Sequence, residues 1–191
     1  IYPFLKSATE LLAGIPSVVY GFFGLVVIVP MIRNYTAAQG IGGNGQTMLT
    51  ASIILGIMIL PTIIGVTESA MRSVPDQYYE GSLALGATKE RTIFRIVIPA
   101  AKSGVIAGIV LGIGRAIGET MAVIMVAGNQ PRMPQGILEG VRTMTTNIVM
   151  EMGYAADLHR EALIATAVVL FVFILIINAC VSLLNRRSEN D

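Results

Sequence analysis

Residues 80–99 read EGSLALGATKERTIFRIVIP, and every other segment of the chain is interpreted from this one. The stretch is polar and charged, yet long apolar runs lie on both sides of it. Such a segment indicates a loop held at a membrane surface, where a soluble partner can reach it. We therefore predict one membrane span before this loop and another after it.

The composition of the chain indicates a membrane protein. Of 191 residues, 54% are hydrophobic and only 13% are charged, whereas an ordinary soluble domain is about 25% charged. Four apolar segments are long enough to cross about 30 Å of hydrocarbon, which takes roughly 20 residues. They are residues 15–33, 48–70, 102–127 and 161–184. We predict an all-α integral membrane bundle in which residues 1–191 form a single transmembrane domain. Because residues 1–13 read as the end of an earlier element, we also expect an upstream span.

The distribution of basic residues predicts the orientation. If the loop 71–101 and the C-terminus are cytoplasmic, that side holds eight Lys and Arg residues and the other side holds four. The cytoplasmic residues are Lys6, Arg72, Lys89, Arg91, Arg95, Lys102, Arg186 and Arg187; the external ones are Arg33, Arg132, Arg142 and Arg160. This arrangement obeys the positive-inside rule. Residues 128–160 then form a long external loop.

The surface loop itself predicts two short helices. Pro75 and Asp76 are typical of a first helical turn, and Gly86 is suited to end that helix. Thr88 can cap a second helix that runs to about Ile98, before Pro99 bends the chain towards the third span. A pair of short helices under the membrane would form a rigid knob.

The third span carries two patterns. Gly104, Gly108 and Gly112 recur at four-residue spacing, with Gly114 and Gly118 as a second pair. Small residues one turn apart let helices approach closely, so we expect this span to lie inside the bundle.

The second pattern is a charged pair, Arg115 and Glu119, four residues apart in the same span. At about 1.5 Å per residue, Arg115 lies roughly 20 Å into the bilayer from Lys102. One interpretation is an intrahelical salt bridge that permits burial of both groups. The other is a substrate path, because a guanidinium suits phosphate or sulfate oxygens and must face a wet interior rather than lipid. Glu119 would then accept a hydrogen bond from protonated phosphate, which sulfate does not offer at neutral pH.

Other chemistry has little support. No G-x-x-x-x-G-K-[ST] motif occurs, so this chain is not expected to hydrolyse ATP. His159 is the only histidine and no metal site is predicted. The net charge of +1 gives no indication of nucleic-acid binding.

The loop resembles the EAA loop of ABC-importer permeases. That motif reads E-A-A, three residues, G, nine residues, I-x-L-P; here Gly81, Ser82 and Ile98 replace the two alanines and the leucine. The resemblance implies a cytoplasmic coupling helix that docks on an ATPase. The matching positions that would make or shape this contact are Tyr79, Glu80, Gly81, Ser82, Gly86, Ile96 and Pro99.

Two further stretches resemble phosphate-specific ABC permeases of the PstC type. They are LAGIPSVVYG at 12–21 and GRAIGETMAV at 114–123, with Gly128-Asn129 after the third span; the sister PstA type usually follows Gly-Glu-Thr with Ala-Pro. The resemblance implies the type I (MetI-like) permease fold in the cytoplasmic, or inner, membrane of a prokaryote. It also implies import of inorganic phosphate by alternating access, with Arg115, Glu119 and Thr120 in the substrate path.

The same resemblance implies partners. A separate ATPase would bind ATP and Mg²⁺, a second permease subunit would complete the path, and an external binding protein would deliver phosphate. This chain would bind no cofactor itself and would be a transporter subunit rather than an enzyme. The alternatives are a permease for sulfate or molybdate, the sister phosphate subunit, a passive anion channel, and a subunit whose charged pair only holds helices together.

Overall fold

The computed structural model describes residues 2–189, with the side chains of residues 2–180. This part of the chain contains no β-strand, and its only β-bridge joins Gly128 and Val141, so the predicted all-α class is confirmed. Its helices are α1 (Tyr2–Gly14), α2 (Ser17–Ala38), α3 (Met48–Arg72), α4 (Asp76–Ala84), α5 (Lys89–Ala100), α6 (Lys102–Gly118), α7 (Met121–Val126), α8 (Met144–Glu151) and α9 (Asp157–Glu189). A π-helical turn interrupts α2 at Gly24–Ile28 and another interrupts α5 at Ile93–Val97.

Three helices of the described chain are long and apolar enough to cross a membrane. They are Ser17–Ala38, Met48–Arg72 and, within α9, Asp157–Cys180. A fourth results if α5 and α6 count as one broken span; their axes are bent by 71°. Helix α6 alone has 17 residues, or about 26 Å at 1.5 Å per residue, which is slightly less than a hydrocarbon core of about 30 Å.

The prediction of one continuous helix over 102–127 is wrong. Helix α6 ends at Gly118, Glu119 adopts an extended backbone with ψ of 129°, and α7 begins at Met121. The helices on both sides of the break are mostly apolar and no proline marks it, so composition alone does not show it. The other three predicted segments each lie mainly within one helix, although α2 continues past Arg33 to Ala38.

Helix α7 lies at the centre of the core. Ala122, Val123 and Val126 have at most 2% of their surface exposed. The helix packs on α2 and α3. A Cβ atom on Gly21 would lie 2.9 Å from the Ala122 Cα, so glycine is required for α2 to approach this closely.

The glycine ladder packs as predicted, but only in part. Gly104, Gly108 and Gly112 face α3, where a Cβ on Gly104 would clash with the Ala70 Cβ. A Cβ on Gly114 or Gly118, by contrast, would have no described atom within 4 Å. The first three glycines therefore fix the α3–α6 contact, whereas the last two lie on an uncovered surface.

The loop between α7 and α8 folds back over the start of α3. The carbonyl groups of Ile137 and Glu139 accept hydrogen bonds from Leu49 N and Met48 N, at 2.9 and 2.8 Å. Val141 N donates to Ala127 O at 2.8 Å. The bonds from Met48 N and Leu49 N satisfy N–H groups in the first turn of α3, which have no partner within that helix. The sequence predicts an interfacial or re-entrant helix within 136–152, and only Met144–Glu151 is helical.

Candidate functional site

The two short helices of the surface loop are joined by a buried hydrogen bond. The Ser82 and Thr92 hydroxyl oxygens lie 2.8 Å apart, and both residues are buried. The Thr88 hydroxyl accepts from Arg91 N and caps α5, while Gly86, with φ of +82°, ends the turn after α4. The predicted helix ends at Gly86 and Thr88 are confirmed, and the loop is a rigid unit.

The predicted coupling residues have different surroundings in this unit. Glu80, Gly81, Gly86 and Pro99 are exposed, Tyr79 and Ile96 are half-buried, and Ser82 is buried. Ser82 therefore shapes the loop from within rather than presenting a contact.

Sequence reasoning missed the two most exposed apolar side chains of the loop. Leu85 is 91% exposed at the tip beside Gly86, and Phe94 is 69% exposed on α5. Large apolar groups displayed on an otherwise polar loop are typical of a protein contact. Two large apolar residues in a charged stretch could have indicated this contact surface from the sequence alone.

The loop is connected directly to the third span. Ala101, which is 4% exposed, separates α5 from α6 at the 71° bend. Helices α3 and α6, which flank the loop in sequence, pack along the glycine ladder. A displacement of the loop therefore acts on two packed helices at once.

Arg115 lies on an exposed face of α6, four residues before the helix break. Its Nη1 donates to the Thr62 hydroxyl of α3 at 3.0 Å. No ion pair joins Arg115 to Glu119 among the described side chains. Most of the guanidinium donors therefore face outward from this chain, in a segment where contact with lipid would be costly.

Glu119 makes a different contact from the salt bridge considered from the sequence. Its Oε1 accepts from Ala122 N at 3.1 Å and satisfies an unpaired N–H group in the first turn of α7. Its backbone carbonyl accepts from the Thr145 hydroxyl of α8 at 3.2 Å. Thr120, also predicted in the path, lies at the break, where its hydroxyl donates to Gly118 O at 3.4 Å.

A cavity of about 260 Å³ adjoins this break. Glu119, Thr143 and Thr145 supply its polar lining, and Leu55, Leu170 and Phe173 supply much of the rest. Its surface is nevertheless predominantly apolar, and the Glu119 carboxylate and both threonine hydroxyls already make hydrogen bonds within the chain. The structure thus brings Glu119 and Thr120 to one break, with Arg115 one helical turn away on α6.

A polar cluster on the loop between α7 and α9 was not predicted. Arg142 Nη1 lies 2.9 Å from Glu151 Oε1, and His159 Nε2 lies 3.8 Å from the other oxygen of Glu151. The nearby Tyr154 hydroxyl, followed by Arg142, lowers the pKa of Glu151, and the same carboxylate raises the pKa of Tyr154. The cluster ties α8 to the start of α9.

A second cluster joins α1 to α3. The Tyr2 hydroxyl donates to Glu68, Arg72 contacts both, and Lys6 lies 4.0 Å from Glu68. Helix α1 has no buried residue, so these polar contacts are prominent in holding it against α3.

The comparisons with known proteins agree with this architecture. Residues 1–190 match the family described as "Binding-protein-dependent transport system inner membrane component". A fold of apolar helices with a rigid surface loop and a polar break in one span fits such a component. The chain belongs to this family.

Individual relatives are more specific. The chain is 42% identical to the "Probable ABC transporter permease protein YqgH" of Bacillus subtilis, over 91% of this chain and 57% of that protein. It is 39% identical to the "Phosphate transport system permease protein PstC" of Xylella fastidiosa, over 88% of this chain and 56% of that protein. The PstC protein of Mesorhizobium japonicum is 36% identical, over 92% and 58% respectively.

These relatives confirm the resemblance drawn from the loop and from residues 114–123. The chain spans little more than half the length of the curated relatives it matches. No solved structure matches the chain significantly.

Proposed function

We propose that this chain is a membrane-spanning subunit of an ATP-driven importer of inorganic phosphate. It would not be an enzyme: a separate ATPase would bind ATP and Mg²⁺, and this chain would carry the anion by alternating access. Relatives named as phosphate transport system permeases support phosphate over the sulfate and molybdate alternatives.

The placement of Arg115 carries the proposal. Its guanidinium lies on the exposed face of a membrane helix, held by one hydrogen bond to Thr62. A charge at this depth is stable only if it faces a wet path or another subunit. Because a guanidinium offers paired donors that match phosphate oxygens, the uncovered face of α6 is suited to line an anion path.

The open surface of α6 beside Arg115 supports a second permease subunit. Gly114 and Gly118 lie on α6 without a described neighbour, on either side of Arg115 in sequence. A second helical subunit over this surface would close the path around the guanidinium. Glu119 and Thr120 would line the path at the break, with Glu119 favouring a protonated oxyanion.

The surface loop supports coupling to the ATPase. Helices α4 and α5 form a unit held by Ser82 and Thr92, and Leu85 projects from its tip. We place this loop and the C-terminus on the cytoplasmic side of the cytoplasmic membrane of a prokaryote. An external phosphate-binding protein would then meet the opposite side, which carries residues 128–160.

The test is phosphate uptake by the complete transporter in proteoliposomes. ATP-driven uptake is expected for the parent transporter, and Arg115→Lys should lower its rate at least tenfold, because a point charge replaces a fork of donors. Arg160→Gln is the matched control, since it removes an exposed outer cation away from the break. Assembly is monitored by co-purification of the subunits.

Glu119→Gln tests, in the same assay, whether Glu119 makes the transporter prefer phosphate to sulfate. We expect it to reduce the preference for phosphate over sulfate. ATP-driven uptake of sulfate but not phosphate by the parent would contradict the proposal, and uptake independent of ATP would favour a passive channel. If Arg115→Lys assembled and transported at the parent rate, Arg115 would have no role in the path.

A further inference from the structure

A second cavity, of about 360 Å³, lies between the loop after α7 and helices α8 and α9. Arg132 and Arg142 both line it, whereas their carboxylate partners, Glu139 and Glu151, do not. The wall of the cavity thus presents cations, and the balancing anions lie behind them. Thr143 and Asn147 add further hydrogen-bonding groups.

Arg142 is held in place before any ligand binds. Its Nε donates to Asn129 O at 3.0 Å, and its Nη1 donates to Asn147 Oδ1 at 3.3 Å and Glu151 Oε1 at 2.9 Å. Its Nη2 makes no hydrogen bond with any described residue. A guanidinium fixed on one side with free donors on the other is preorganised for an anion.

Arg132 is arranged differently. It lies 3.7 Å from Glu139, and its side chain is 63% exposed. An exposed pair at this distance is weak, so Arg132 is free to turn towards a ligand in the cavity. One fixed and one movable guanidinium could hold opposite sides of a tetrahedral oxyanion.

Gln130 also lines this cavity. Its Oε1 atom is buried and has no hydrogen-bond partner among the described residues. A buried acceptor of this kind requires a proton donor. Because this atom has almost no accessible surface, the O–H group of protonated phosphate could reach it only after the Gln130 side chain turned towards the cavity; sulfate has no such group at neutral pH.

The cavity continues towards the helix break. Thr143 and Met144 line both this cavity and the 260 Å³ cavity that contains Glu119. The first turn of α8 is therefore the wall that the two cavities share, and Met144 in it is 45% exposed. A solute in the outer cavity would have to displace the Met144 side chain to reach the cavity that contains Glu119.

We propose that the cavity lined by Arg132 and Arg142 is an outer oxyanion-binding vestibule of this permease. Inorganic phosphate binds there first and then passes Met144 to the break at Glu119. The inference rests on the proposed function and on the external placement of residues 128–160. It adds a binding site that precedes the Arg115 region.

The experiment measures the electrostatic potential at the junction of the two cavities. A single cysteine replaces Met144 in a Cys180→Ser background, since Cys180 is the only native cysteine. The assembled transporter, in proteoliposomes without its binding protein, is treated from outside with an anionic or a cationic methanethiosulfonate reagent. The ratio of the anionic to the cationic labelling rate reports the local charge.

Arg132→Gln should lower this ratio about fivefold, because loss of one unit charge about 8 Å away in water changes each labelling rate about 2.4-fold, in opposite directions. Inorganic phosphate should slow labelling in the parent background, and Arg142→Lys should weaken this protection. Arg160→Gln, the control outside the cavity, should leave the ratio within about twofold, because screening limits the reach of a distant exposed charge. If Arg142→Lys fails to assemble, Arg132→Gln alone decides the outcome.

The results separate the two proposals. A transporter that takes up phosphate normally but shows the same labelling ratio in all variants, with no protection by phosphate, would overturn the vestibule alone. An equal change with Arg160→Gln would also overturn it, because the field would then belong to the whole surface. Failure of ATP-driven phosphate uptake by the parent would instead overturn the proposed function.

Discussion

Ser82 and Thr92 lie ten residues apart and share a buried hydrogen bond, with 2.8 Å between their hydroxyl oxygens. Ser82 lies on α4 and Thr92 on α5, so this bond fixes the angle between the two helices of the surface loop. The resemblance to the EAA motif identified Ser82 as a coupling position. The structure shows that its side chain faces inward, where it controls the shape of the loop.

Ser82→Ala should destabilise the loop by about 1–3 kcal/mol, because it leaves the Thr92 hydroxyl buried without a partner. The double variant Ser82→Ala/Thr92→Val should be closer to the parent, since both polar groups are then removed. Protease sensitivity of residues 76–100 in the assembled transporter measures the effect. Ser69→Ala, at an exposed serine on α3, is the control. A double variant more sensitive than both single variants would contradict this account.

Leu85→Asp should reduce substrate-stimulated ATP hydrolysis by about tenfold or more, because loss of an interface hot spot costs about 2 kcal/mol or more. Met133→Asp is a matched control: Met133 is 90% exposed, Leu85 is 91% exposed, and Met133 lies on the loop assigned to the outer side. ATP hydrolysis by the purified complex is the measurement. Equal loss of hydrolysis in both variants would show that Leu85 has no specific role in coupling.

Thr62→Val should lower phosphate uptake about tenfold. The substitution removes the hydroxyl that holds Arg115 while keeping the shape of the side chain, and a hydrogen bond to a charged group contributes about 1.5 kcal/mol or more. Thr62→Ser retains the hydroxyl and should restore uptake. The measurement is the initial uptake rate at saturating phosphate. If the serine and valine variants behaved alike, the Thr62–Arg115 contact would not position the guanidinium during transport.

Gly45→Ala should destabilise the protein far more than Gly40→Ala. Both glycines have positive φ, +80° and +72°, so both substitutions introduce backbone strain of about 1–2 kcal/mol. Only at Gly45 would the new Cβ also collide with backbone, at Val29 O; no described atom lies within 4 Å at Gly40. Thermal unfolding of the detergent-solubilised complex is the measurement. Equal shifts in Tm would mean that the turn before α3 can move away from α2.

Acid should weaken the link between α8 and α9. Tyr154 and Arg142 lower the pKa of Glu151 from 4.5 in the folded protein. The ionised carboxylate therefore contributes stability above its unfolded pKa, and this contribution is lost as the pH falls through the folded value. Protease cleavage of residues 128–160 should rise below about pH 4.5 in the parent. Glu151→Gln should show high cleavage at neutral pH already and little further rise; a parent-like acid response in this variant would assign the transition to other groups.

Several parts of the fold follow from local chemistry and were predictable. The 25 residues of α3 form one apolar run, and Thr47 caps its start. Gly86 and Thr88 mark the two helix ends in the surface loop because positive φ and side-chain capping are properties of single residues. The ladder at Gly104, Gly108 and Gly112 also depends on spacing alone.

The break at Glu119 was not predictable in the same way. The residues around it are apolar or small, and the extended conformation of Glu119 is stabilised by contacts far along the chain. Thr145 donates to its carbonyl from α8, 26 residues away. Helix α7 is separated from α6 because it packs between α2 and α3, and hydrophobic periodicity does not record tertiary packing of that kind.

The polar cluster of Arg142, Glu151 and His159 could not be predicted from the sequence for the same reason. Arg142, Glu151 and His159 are spaced 9 and 8 residues apart, and no motif joins them. They meet only because the loop before Arg142 is hydrogen-bonded to the start of α3, as at Met48 N–Glu139 O. Counting charges assigned Arg142 to the outer side but did not indicate its partner.

The 71° bend at Ala101 sets the angle between the surface loop and the third span. Helix α5 belongs to the surface loop, and α6 leads from Ala101 to Arg115 and the break. Because the two axes are far from parallel, a displacement of the loop across the axis of α5 would be directed largely along the axis of α6. Because Ala101 is 4% exposed and closely surrounded, the junction has little room to change its angle, so such a displacement would be carried to the far end of α6.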